Sequence, residues 1–156
     1  MKKLEIILIT GAIIVLLLVL FNTPLDSLIA SVFFITLSCL YYILGFALFN
    51  NIQARKIFKA DSYKGIGTWR ILIAIGTGIA LSILTTGFRF TILSYPAAKT
   101  LLVIGLVFVT IIIILALIKN AQEKNQFYKN ITLRCLTFLI IAVIFLLLPG
   151  HLFETL

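Results

Sequence analysis

Apolar residues fill five runs of this chain, separated by short polar gaps. The runs cover about residues 4–21, 27–49, 69–88, 98–118 and 132–148. Each is of the order of the ~20 residues that a helix needs to cross the hydrocarbon core of a bilayer. In lipid the backbone has no partner but itself, so such runs are read as helices even where β-branched residues cluster, as at Thr110 to Ile114. The pattern predicts an all-α polytopic membrane protein, a bundle of five transmembrane helices forming one domain over residues 1–156.

The third run has the clearest internal pattern. At ~100° per residue, Ala74, Gly78, Ser82, Thr85 and Arg89 fall on one side, and Gly76, Ala80 and Gly87 on the other. Small residues let helix backbones approach closely in lipid. Two such faces predict neighbours on both sides, which puts this helix at the centre of the bundle. Ala74, Gly76, Gly78, Ala80 and Ser82 are the expected helix-packing positions.

The gaps carry the punctuation. Pro24 ends the first run, and Asp26 or Ser27 is placed to cap the second. Gly65 and Gly67 break the chain before the third run. Arg89 to Pro96 is a connector in which Tyr95 suits the membrane boundary and Pro96 a helix start. Residues 119–134 form a second long gap, and Pro149-Gly150 ends the fifth run. Met1-Lys2-Lys3 followed by an apolar run has the look of a signal peptide, but no A-x-A-like cleavage site follows. The first run is therefore expected to be retained.

Hydrophobic residues make up 62% of the chain, an excess that a soluble protein of 156 residues cannot bury. The net charge of +8 lies in the gaps. With five spans, 11 of the 13 basic residues fall on one side, leaving Arg89 and Lys99 on the other. The positive-inside rule then places the N-terminus in the cytoplasm and the C-terminus outside, in a bacterial inner membrane. This charge pattern is explained by topology and anionic headgroups rather than by nucleic acid.

Little chemistry is legible. The five acids, Glu5, Asp26, Asp61, Glu123 and Glu154, all stand at or beyond the ends of runs. That argues against a proton pump, which needs an ionisable group within the membrane. His151 is the single histidine. No residue set has metal, nucleotide or catalytic spacing, so neither an enzyme nor a cofactor is expected. Cys39, Cys135, Tyr41 and Tyr42 read as packing residues. Arg89, with Thr85, Thr86 and Asp26, outlines a possible polar pocket or headgroup site; the plainer reading is an arginine that snorkels to the boundary. Arg55, Lys56, Lys59 and Lys64 in the first long gap are the expected contact with anionic lipid or a partner.

Leu44-Gly45-Phe46-Ala47-Leu48-Phe49-Asn50-Asn51, Arg55-Lys56-Ile57-Phe58, Ser62-Tyr63-Lys64-Gly65-Ile66 and Gly76-Thr77-Gly78-Ile79-Ala80-Leu81-Ser82 resemble a family of uncharacterised multi-pass inner-membrane proteins of Bacteroidota. Members of that family carry a lysine five residues before a proline that is followed by small residues, similar to a motif of the gliding-motility GldL membrane subunit. Here the position five before Pro24 is Val19, and the cation nearest to Pro96 on its N-terminal side is Arg89, while Pro96-Ala97-Ala98 keeps the small residues. The resemblance implies a multi-pass inner-membrane protein. A motor role is not carried over.

The expected function is a non-enzymatic membrane subunit or scaffold that packs with other membrane proteins or with itself, in contact with membrane lipid. The alternative is a small transporter or channel with a polar face on the third helix, suggested also by a loose repetition of the first helix pair in the second.

Overall fold

The structure is a computed structural model that describes residues 5–7, 9–11, 13–14, 26–57, 59–63 and 65–147; of residues 26, 27, 54, 60 and 63 only the backbone is described. The regular structure among these residues is helical. We label the helical residues between 5 and 14 α1. The longer helices are α2 (Asp26–Phe49), α3 (Thr68–Ile92), α4 (Ala98–Glu123) and α5 (Gln126–Leu147), with two 3₁₀ turns, Ala54–Lys56 and Ala60–Tyr63, between α2 and α3. Helices α2 to α5 are each long and apolar enough to cross a membrane. The sequence pattern predicts five spans. Four helices that could span are found among the described residues, and most of the first run beyond α1 lies outside them.

The short connections at 93–97 and 124–125 make α3, α4 and α5 successive antiparallel neighbours, and α2 packs along α3 across the longer segment 50–67. Helix α3 packs along α2 and α4 and also touches α5, so it is the helix around which the others gather. Its glycines explain the close approach. A Cβ on Gly78 would lie 2.7 Å from the Tyr41 carbonyl oxygen of α2. One on Gly76 would lie 2.7 Å from Ile112 of α4, and one on Gly87 would lie 2.9 Å from Leu102 of the same helix. The two small faces therefore meet two different helices of the same chain. Ala74 and Ala80 are fully buried.

Aromatic side chains fill the middle of the bundle. Phe88 of α3 meets Phe34 of α2 at 5.9 Å between ring centres, and Phe138 and Phe145 of α5 at 6.4 and 4.8 Å. Such rings bury large apolar areas and add favourable edge and offset contacts. Outward faces carry exposed Val32, Ile43, Val107, Ile114 and Leu147. In a membrane these face acyl chains.

Several helix boundaries differ from the sequence reading. Helix α3 continues through Arg89 to Ile92, so the connector to α4 shrinks to residues 93–97. It ends in a Schellman motif: Tyr95 N–H bonds the Phe90 carbonyl and Ser94 N–H bonds that of Thr91, with Ser94 left-handed at φ 53°. The expected gap at 119–134 is nearly all helix. Helix α4 runs to Glu123, Lys124 turns left-handed at φ 46°, and Asn125 caps α5 by accepting from Phe127 N–H at 2.9 Å. The helices outlast their apolar runs because a polar helix end remains hydrogen-bonded internally when it enters the headgroup layer.

Packing also corrects two side chains, Cys39 and Tyr42. Cys39 is exposed rather than packed, while Cys135 is buried. Tyr42 points outward, whereas its neighbour Tyr41 is fully buried.

Candidate functional site

Polar chemistry inside this bundle gathers at two places, and a third lies at one end. The first is the seam between α2 and α3. Ser38 Oγ lies 2.8 Å from Ser82 Oγ and 3.0 Å from Thr86 Oγ1, and donates to the Ser82 carbonyl at 3.1 Å. Nearer the far end of α3, Arg89 Nε donates to Ser31 Oγ. These side chains are part-buried. Thr85 does not join them. It is fully buried and donates to the Leu81 and Ser82 carbonyls of its own helix. The pairing of Arg89 with Asp26, considered from sequence, has no counterpart among the described side chains, because that of Asp26 lies outside them. The seam is a line of hydroxyls bonded to one another and to backbone, which satisfies them without water.

The second place was not legible in the sequence. Glu5 of α1 is buried, with 3% of its side chain exposed. Tyr41 of α2 donates its hydroxyl to Glu5 Oε1 at 3.1 Å, and Arg134 of α5 pairs with Oε2 at 3.0 Å. The Arg134 guanidinium also lies over the Phe49 ring at 5.3 Å. Tyr41 stacks near that ring and meets Phe138 edge-on. Tyr41 is eight residues from the end of α2, and Arg134 eight from the start of α5, about 12 Å along each helix. An acid read as standing at the end of its run is thus inside the bundle. A gap of about 10 Å³, room for about one water, adjoins Arg134 beside Asn51 and Asn130. A separate apolar cavity of about 240 Å³ lies between Ile9, Ile13, Phe34, Leu37, Phe88 and Phe138.

The third place is the end of the bundle where α2 finishes and α3 begins. There Lys119 lies 4.8 Å over the Trp69 ring, and Arg70 lies 4.6 Å over Phe127. Tyr128 donates to Glu123 at 3.1 Å. Beside this layer, Asn50 to Gln53 and Lys56, Lys59, Asp61 and Ser62 line an open depression of about 450 Å³. Of the four basic residues expected to act in this gap, Lys56 and Lys59 line the depression, Arg55 is exposed in the first 3₁₀ turn, and Lys64 lies outside the described residues.

Among the described residues, no three His, Cys, Asp or Glu side chains gather to hold a metal ion. No known family model matches the chain, nor does any curated protein or solved structure.

Proposed function

We propose that this chain is a non-enzymatic subunit or scaffold of a bacterial inner membrane, with its N-terminus in the cytoplasm, five spans and its C-terminus outside. The observation that carries the reading is the part-exposed α2/α3 seam of Ser31, Ser38, Ser82, Thr86 and Arg89. The glycine faces of α3 are occupied by this chain's own α2 and α4, so they no longer call for a partner. The seam supports one: its hydroxyls are bonded internally, but it is part-exposed and ends in the Arg89 guanidinium, a charge that is poor lipid-facing surface and good surface for another helix with polar groups. The short connections between α3, α4 and α5 leave no room for a soluble working domain there.

A photo-crosslinking residue at Thr86, compared with one at the outward Val107 of α4, tests the reading. A discrete protein adduct at Thr86 and none at Val107, with a particle mass above one chain in mild detergent, is the expected result. A lone monomer with no adduct at Thr86 would sink it.

A small transporter is the second reading, favoured by Glu5. A carboxylate within a membrane bundle is by default a functional candidate. Flux into proteoliposomes that Glu5→Gln abolishes, with the fold intact, would make it the better account.

A further inference from the structure

The apolar cavity of about 240 Å³ takes its walls from four helices: Ile9 and Ile13 of α1, Phe34 and Leu37 of α2, Phe88 of α3, and Phe138 and Ile141 of α5. No polar atom lines it. Water needs two to four polar partners to stay in such a space, so the cavity excludes it. A dry void of this size is also costly, because its lining atoms have no neighbours on one side and forfeit dispersion energy. An apolar cavity of ~150 Å³ already takes up benzene. This one is larger, and an apolar occupant is favoured.

The surroundings identify the occupant. Leu37 and Phe138 stand near the middle of α2 and α5, two helices long and apolar enough to cross a membrane. The cavity therefore lies at the depth of hydrocarbon. Its walls are unequal. Phe34, Leu37, Phe88 and Phe138 are buried, whereas Ile13 is exposed and Ile9 and Ile141 are part-exposed. The open side is thus the one where α1 faces Ile141 of α5. What meets an open side at this depth is acyl chain.

We infer that the cavity holds the methyl end of a lipid acyl chain, which enters between α1 and α5. The chain fills the space against Phe34, Phe88 and Phe138. Glu5 then fastens α1 to the bundle at one end, through Tyr41 and Arg134, and a lipid tail supports it further along. The inference stands apart from the α2/α3 seam and holds for a scaffold and a transporter alike.

The experiment uses the full chain in vesicles of phosphatidylethanolamine and phosphatidylglycerol. The probe is phosphatidylcholine with a photoactivatable diazirine near the methyl end of one acyl chain, and adducts are mapped by peptide mass spectrometry. Adducts are expected on the buried Leu37 and Phe138 as well as on the outward Val107 and Ile114. Leu81 and Leu84, buried away from the cavity lining, should carry none. Ile9→Phe with Ile141→Phe fills the space and should abolish the adducts on Leu37 and Phe138 while those on Val107 persist. Ile13→Phe, at the exposed rim, is a milder block and should give the same loss; an unchanged or raised melting midpoint shows that each variant folds. Adducts confined to the outward residues of the wild-type protein would overturn the proposal. So would adducts that reach Leu81 and Leu84 equally, or inward adducts that survive in both folded variants.

Discussion

Glu5 is the residue on which the position of α1 turns. Its carboxylate is held by Tyr41 from α2 and Arg134 from α5, so one side chain ties three helices together. Removing one partner of a buried ion pair leaves a charge that the interior cannot solvate, and costs about 3–5 kcal/mol. Glu5→Ala and Arg134→Ala should each lower the unfolding midpoint in detergent by a corresponding amount. The paired change Glu5→Leu with Arg134→Leu should recover most of the loss, because no charge is then stranded. Additive losses in that double variant would mean that the two groups do not act as a pair. Tyr41→Phe keeps the ring packed on Phe138 and removes only the donated bond. A loss of about 1.5–3 kcal/mol is expected on the same melting curve. None of this could be read along the chain. Glu5 follows two lysines at the start of an apolar run, and local pattern makes it a flank. Its burial is set by how far α1 slides against α2 and α5, and that depends on contacts more than thirty residues away.

At the level of elements, α3 was the most legible helix, because what governs its packing is local. A residue's angle on the helix follows from its number, and only small residues permit backbone contact, so Gly76 and Gly78 announced two faces. Which helices would meet those faces was not written there. Gly45 of α2 is the counterpart: a Cβ on it would lie 2.9 Å from the Gly78 Cα. Gly78→Ala should therefore force α2 and α3 apart. Overpacking costs ~1–3 kcal/mol, against ~1 kcal/mol gained from the better helix former, so thermal melting should show a net loss or no gain. Gly67→Ala, with nothing within 4 Å of the added atom, should be close to neutral on the same measurement. The ends of α4 and α5 were misread for the opposite reason. Hydropathy marks where a helix leaves hydrocarbon, whereas hydrogen bonding and caps mark where it stops. Asn125 was the available signal, a cap residue standing just before α5.

For the whole molecule, the open question of architecture is whether the chain crosses the bilayer five times. Helices α2 to α5 alternate in direction and bring the starts of α3 and α5 to the same end as the finish of α2 and α4, as the contacts of Trp69 with Lys119 and of Arg70 with Phe127 require. That end collects the basic residues of both long gaps, while Arg89 and Lys99 stand at the other. The proposed topology puts the basic end in the cytoplasm, as the positive-inside bias favours, and on that proposal α5 points its C-terminal end outwards. Glu5 is consistent with a fifth crossing, since its pairing with Arg134 puts the start of α1 towards the basic end. Cysteines introduced at Lys59 and at Glu154, with Cys39 and Cys135 replaced by alanine, separate the outcomes. A membrane-impermeant maleimide applied to intact cells should label position 154 and not 59, and should label 59 only after the membrane is opened. Labelling of 59 from outside would invert the bundle. Protection of both positions until lysis would put the tail back in the cytoplasm and break the alternation on which the five-span scheme rests.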